Sequence, residues 1–184
     1  MTPLQELTVH LFRLVHLARS VGMKRALTKA APEPHLNFWR LILGNQLDIA
    51  VLDWCKVFGS DGEATHWKKI VPPANHDQFR NRLLVSISVT ADEWLAYWNE
   101  MKAYRDNLLA HHIEMNKVAN YPVLDLACES SFFYYSYLIT RLRALGETRY
   151  PDDLKIYCNA FERQAREIAA AAVASTAAIK ERVY

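Results

Sequence analysis

The segment VTADEWLAYW (residues 89–98) decides the reading of the chain. Thr90 is a preferred helix cap, and Glu93 can reach back to it, a complete T-x-x-E capping box. Val89 and Trp94 hold the two positions of a hydrophobic staple. A long helix is therefore predicted from Thr90 to about Ala119, stopping before NYP (120–122). The same period recurs on both sides of it. Residues 3–29 set Leu4, Leu7, Leu11, Leu14, Val15, Ala18 and Val21 on one stripe, and APEP (31–34) ends that helix. A second helix is predicted from about Asn37 to Phe58, with Phe38, Leu41, Ile42, Ile49, Leu52 and Val57 inside and Gly59 as terminator. Residues 59–75, GSDGEATHWKKIVPPAN, read as the longest loop, anchored by a buried Trp67 and a hydrogen-bonded His66. A short helix should follow from Asn75 to about Val85, with Asn75 and Gln78 at capping-box spacing; the alternation in LVSISV (84–89) offers a short strand as the rival. Two more long helices are predicted. One runs from about Pro122 to Leu145 and ends at Gly146; the other follows Tyr150, with Pro151, Asp152 and Asp153 in its first turn. The expected fold is all-α: an up-and-down helical bundle of four to five long helices plus a short helix, residues 1–184 forming a single domain.

Composition narrows the function. Apolar residues make up 51% of the 184, ample for a core, and five glycines are too few for a turn-rich β protein. The net charge of +2 leaves no general nucleic-acid footprint, so RNA binding would need a local patch. Lys102, Arg105, His111, His112 and Lys117 supply one, although a solvated helix face would look the same. Cys55, Cys128 and Cys158 are odd in number, far apart and set in apolar runs, which predicts buried free thiols and a reducing compartment. The first 20 residues lack a secretory pattern, and IAAAAVASTAAI (168–179) is about half the ~20 residues a membrane span needs. That run reads as a small-residue helix face packed closely on a neighbour. No membrane association is expected, and a cytoplasmic location follows.

Four tryptophans (Trp39, Trp54, Trp94, Trp98) recur at helical spacing and read as core. His10 and His16 read as incidental. SFFYYSYL (131–138) is aromatic nearly all round its helix, and its second face is assigned to a dimer contact in preference to a base-stacking surface, since Lys and Arg are absent from 122–140.

KAYRDNLLAHHIEM (102–115) is the stretch that fits neither plain surface nor plain core. Residues seven apart on an ideal helix share a face, so Arg105 stacks with His112; His111 lies about 120° away, within reach of long side chains or across a kink. One short segment can thus present a fixed cation, a carboxylate and imidazoles to one cleft. The plain alternative is a surface ion pair for Arg105 and one core plus one exposed histidine. His111, His112 and Glu114 also have ligand chemistry, but the H-E-x-x-H spacing is absent and no cysteine is near, so neither metal nor cofactor is expected.

RDNLLAH (105–111) resembles the R-x(4–6)-H signature of the HEPN superfamily of small helical bundles, with Asp106 as the polar residue after the arginine. The preceding WLAYWNEMKAY (94–104) is similar to the helix that carries that motif, and DWCKVFGS with HWKKI (53–70) resembles a tryptophan-and-FG segment of the abortive-infection AbiU-type branch. The resemblance implies a metal-independent endoribonuclease of a toxin–antitoxin or phage-defence system, cutting RNA to 2′,3′-cyclic phosphate ends. It implies Arg105 as the group that holds phosphate charge, His111 as the proton-transfer group and Asp106 as an orienting partner. Alignment selects His111, while ideal helix geometry selects His112. One motif supplies one such histidine, so the site would be completed by a homodimer; an antitoxin protein is a further expected partner. Family toxins that are adenylylated often carry a tyrosine two places after the histidine. Ile113 or Glu114 stands there in this chain, which departs from that pattern. The alternative is a catalytically inactive HEPN-like helical module that binds a protein partner or a nucleotide.

Overall fold

Thr2 accepts a hydrogen bond from the Gln5 amide while the Gln5 side chain reaches back to the Thr2 N–H, and Pro3 occupies the first turn. This cap starts the longest helix among the described residues. The computed structural model describes residues 2–110 and 121–181, and all regular structure among them is helical. The helices are α1 (Pro3–Ala30), α2 (Asn37–Trp54), α3 (His76–Ser86), α4 (Ala91–Tyr104), α5 (Asp125–Ala144) and α6 (Leu154–Thr176). Two π-helical turns extend α2 and α4, at Cys55–Gly59 and Arg105–Ala110, and short 3₁₀ turns at Trp67–Lys69 and Pro73–Asn75 punctuate the long loop. The architecture is an all-α helical bundle. Among the described residues, no helix is long and apolar enough to cross a membrane.

α1 lies at the centre and packs against α2, α5 and α6. Leu11, Leu14, Leu17 and Ala18 are fully buried, and a single apolar cluster draws side chains from all six helices. Small residues set the spacing to α6. A Cβ added at Gly22 would come within 3.1 Å of Phe161 Cδ1, and the Cys158 thiol reaches the Ala18 carbonyl at 3.4 Å. On the other side Trp54 is fully buried, donates from its indole N–H to Ser130 Oγ at 3.0 Å and packs among Phe58, Trp94 and Tyr97. All three cysteines are free and buried, as the apolar runs around them predict.

Several sequence expectations are corrected. Phe38 and Leu41 are exposed, not inside, because Trp39 takes the inward position and donates to Thr176 Oγ1 on α6 at 3.0 Å. Asn75 precedes α3 without a side-chain cap bond, so the box with Gln78 does not form, and the LVSISV segment completes α3 and turns at Ser88 (φ 56°) in place of any strand. Pro151 and Asp152 lie before α6. Asp152 is engaged by Arg143 of α5, and Asp153 alone caps α6 by accepting from the Lys155 and Ile156 amides. α4 ends at Tyr104 and a π turn continues to Ala110, while the predicted stretch from His111 to Ala119 lies outside the described residues. The Thr90–Glu93 capping box forms as predicted, with both reciprocal bonds. The alanine-rich C-terminal run packs only in part: Ala165 and Ala169 are buried, whereas Ile168 is exposed.

Leu14→Ala should lower stability by about 3 kcal/mol, as expected for a fully buried leucine, while Phe38→Ala and Leu41→Ala should each stay within about 0.5 kcal/mol. Urea unfolding followed by circular dichroism separates the two classes; equal losses at Leu14 and Leu41 would overturn this assignment of the core.

Buried imidazoles give a pH signature. His10 hydrogen-bonds Tyr134 Oη at 3.0 Å, and desolvation with the nearby His66 pulls its pKa down to about 4. Burial pulls His66 down to about 4 as well, against the opposing field of Asp61. A folded-state pKa below the unfolded value means that the unfolded chain takes up protons first. Stability should therefore hold above pH ~6.5, the ordinary imidazole value, and fall as pH drops from there to about 4. Midpoints of urea unfolding between pH 7.5 and 4 measure it, and His10→Gln should flatten the decline.

Candidate functional site

The two π turns lie side by side. A π turn spaces residues differently from an α turn because its bonds run i→i+5, and such turns recur at functional sites. Trp98 of α4 ties the pair together: its indole N–H is shared between the carbonyl oxygens of Phe58 (2.8 Å) and Gly59 (3.2 Å). The Cys55 thiol points at the Met101 carbonyl, 3.7 Å away. Lys102 Nζ lies 4.2 Å from the Trp98 ring centroid, within cation–π range. Tyr104, the last residue of α4, donates to Asp48 Oδ1 of α2 at 2.7 Å, and burial followed by this acid pushes its hydroxyl pKa up.

Arg105 opens the second π turn. Its Nε donates to Asp106 Oδ1 at 2.7 Å, and Nη2 lies 2.6 Å from the same oxygen as an ion pair. Its Nη1 faces the first turn so closely that a Cβ added at Gly59 would stand 3.5 Å from it and 3.3 Å from Cys55 Cβ. The tighter approach is to Cys55, so a side chain at 59 would press on its own turn, whereas 3.5 Å from the guanidinium is ordinary contact. The Arg105 side chain is 19% exposed and that of Asp106 46%, so the pair sits at the rim of the bundle with one face wet. Arg105 and Asp106 are therefore brought together. His111 and His112 lie outside the described residues. The stacking of Arg105 with His112 assumed α spacing throughout, and the π turn removes that premise for residues 105–110.

Next to Gly59 is a hollow of about 140 Å³, lined among others by Asp61, His66, Lys68, Arg80, Trp94 and Trp98. Lys68 Nζ binds Asp61 at 2.6 Å and holds its carboxyl below the usual range. His66 accepts from the Lys68 amide at Nδ1 (3.3 Å), which leaves the proton on Nε2, 3.4 Å from Asp61. Trp67 is buried and stacks on Phe79. The loop anchor expected at His66 and Trp67 is present, and it forms one wall of this hollow.

Sequence reasoning missed a second polar cluster. Asp53 is 2% exposed, between α1 and α2, and both carboxylate oxygens are used: Oδ1 accepts from Arg13 Nη1 at 3.0 Å and Oδ2 meets His16 Nδ1 at 2.6 Å. His16 was read as incidental, yet the carboxylate orients its ring and leaves Nε2 toward solvent. The available signal was an aspartate inside the apolar run IAVLDW (49–54), which requires a buried or half-buried partner on a neighbouring helix. The aromatic run 131–138 is largely consumed within the chain: Tyr134 and Tyr135 are buried, and Phe133 and Tyr137 pack on Phe79. Among the described residues, no group of three or more His, Cys, Asp or Glu side chains is arranged to hold a metal.

Cys55 lies against the guanidinium of Arg105, which would activate a thiol in an open site. Burial outweighs this and pushes the Cys55 pKa up to about 12, and Cys128 likewise to about 12. Native protein at pH 8 should resist alkylation at all three cysteines and label fully in urea, as read by intact mass; rapid native labelling of Cys55 would show that the junction of the π turns is open.

Comparison with protein-family models, with curated proteins and with solved structures returned no match.

Proposed function

We propose that the chain is a metal-independent endoribonuclease of the HEPN type, acting as a cytoplasmic homodimer in a toxin–antitoxin or phage-defence setting. The observation that carries the reading is the position of Arg105. The first residue of the R-x(5)-H motif stands where α4 passes into a π turn, braced by Asp106 and packed against Gly59 with part of its guanidinium exposed. A cation so fixed needs little reorganisation to meet a phosphate, and a guanidinium can bind two phosphate oxygens at once. Lys68, Arg80, Trp94 and Trp98 line the adjoining hollow, where the phosphates of a single strand would compete with Asp61 and Asp77 for the two cations and its bases would meet the rings.

The chemistry follows from RNA itself. The 2′-hydroxyl attacks the adjacent phosphorus as a histidine, His111 in this reading, takes its proton. The P–O5′ bond breaks, the departing oxygen receives a proton from a second group, and a 2′,3′-cyclic phosphate remains. Arg105 holds the charge that gathers on the non-bridging oxygens. The second proton-transfer group is the partner protomer's copy of the motif, which is why the proposal includes a dimer. His112 is the other candidate for the base.

A second reading rests on the same pair. Arg105 is already bound to Asp106 through one hydrogen bond and an ion pair, and in this reading the pair is a lock that stiffens the junction of an inactive binding module.

Purified protein should cleave mixed RNA in EDTA and leave cyclic-phosphate ends, and Arg105→Ala should cost about 10²–10³-fold in rate. His111→Ala should cost about 10²–10⁴-fold. Gel assays with end-group analysis decide the matter: RNA left intact by a verified dimer, or unchanged cleavage by both variants, favours the inactive module. Light scattering at micromolar concentration should give twice the mass of one chain, and a monomer there would remove the source of the second proton-transfer group.

A further inference from the structure

Apart from the π-turn junction, α3 and α5 enclose a second hollow of about 410 Å³, whose occupant the ribonuclease reading does not use. From this geometry we infer that it is a binding site for a small aromatic phosphate monoester. Its lining combines two arginines, Arg82 and Arg141, with the aromatic side chains of Phe79, Phe133 and Tyr137, and none of its described lining residues is acidic. The nearest acid along α3, Asp77, is already paired with Arg80 at 3.2 Å.

The two guanidiniums are presented differently. Arg141 is held in place: its guanidinium carbon stands 4.1 Å from the Tyr137 ring centroid, and Nη2 donates to the Tyr137 hydroxyl. Arg82 comes from α3 on the opposite wall and is exposed. Two like charges facing one concavity repel, and a dianion between them relieves that repulsion while gaining charge-assisted hydrogen bonds. Phosphate alone would satisfy the cations but leave the exposed parts of the aromatic wall, on Phe133 and Tyr137, in water. Phe133 and Tyr137 are half-buried, and Phe79, stacked on Trp67 behind them, is buried and fixed. A planar ring carried by the phosphate covers that wall, and the volume lies within the range of small-molecule sites. The hollow is partly open to solvent, and its volume of about 410 Å³ is large enough for a free molecule of this size.

Isothermal titration with phenyl phosphate is the test, with inorganic phosphate and phenol as separate arms. Saturable binding of phenyl phosphate at millimolar concentration or below is expected, with each half-ligand at least about tenfold weaker. Arg82→Gln, at an exposed position, should weaken phenyl phosphate about tenfold without moving the melting temperature. Ser136→Trp fills the hollow from an exposed site and should abolish binding in a protein that still folds by circular dichroism. The assignment is overturned if the parent shows no saturable binding, if inorganic phosphate binds as well as phenyl phosphate, or if both variants bind like the parent. RNA cleavage has no bearing on any of these outcomes, so the two proposals fail separately.

Discussion

The burial of α1 on several sides is the constraint that organises the bundle. A helix in contact with α2, α5 and α6 has little surface left for polar groups, yet this one carries His10, Arg13, His16 and Ser20 along its length. Each of the ionisable three has a partner on the helix it faces. His10 meets Tyr134 of α5, while Arg13 and His16 share Asp53 of α2. These bonds are modest as net stabilisers, but their absence would leave the buried His10 and Asp53 unsatisfied, at a cost of about 1–3 kcal/mol each. They therefore fix which helix faces which side of α1 more than they add stability. Close approach of α6 at Ala18 and Gly22 does the same by shape, since a larger residue at 22 would meet Phe161.

With α1, α2 and α5 placed, the ends of α2 and α4 are brought together, and it is there that regular helix fails. Both helices pass into π turns at their contact, and Trp98 bonds to the carbonyls of the first turn while Arg105 leaves the second. An α-helix keeps its carbonyls for its own amides. Widening a turn frees some for outside donors, and the Trp98 indole takes two of them. Gly59, marked in the sequence as a helix terminator, also sits close against Cys55 of its own π turn, 3.3 Å from an added Cβ. The junction is thus a local departure from helix geometry supported by a dense aromatic core of Trp54, Phe58, Trp94 and Tyr97.

Where local chemistry alone decides, the sequence was legible. Thr90 and Glu93 lie within one turn and form the expected box; the helix breaks at APEP and Gly146 fall where Pro and Gly put them, with Gly146 at φ 80°. Where a distant element decides, the reading failed. Phe38 and Trp39 are adjacent and both aromatic, and only the position of Thr176 on α6 selects Trp39 for the interior. Asp152 and Asp153 are equivalent as cap candidates until Arg143 engages the first. Over 105–110 propensity carries no mark for the π turn that replaces regular α geometry. For the site, the Arg105–Asp106 pair could be suspected from spacing, but the Gly59 contact and the Asp53 cluster join residues far apart in sequence and needed the fold.

The same distinction separates the two cationic features of the protein. At the π-turn junction the guanidinium of Arg105 is bound by an acid of its own chain, so a phosphate arriving there must share with Asp106 or displace it. That suits a site where binding is transient and charge stabilisation has to rise along the reaction, because holding the ground state tightly would gain nothing in rate. The α3–α5 hollow has the opposite arrangement: two cations without an acid among the described lining residues, beside a fixed aromatic wall. Such a site favours a ligand that stays. If both proposals hold, the electrostatics of the two places divide turnover from retention through residues on different helices, so either can change without dismantling the other.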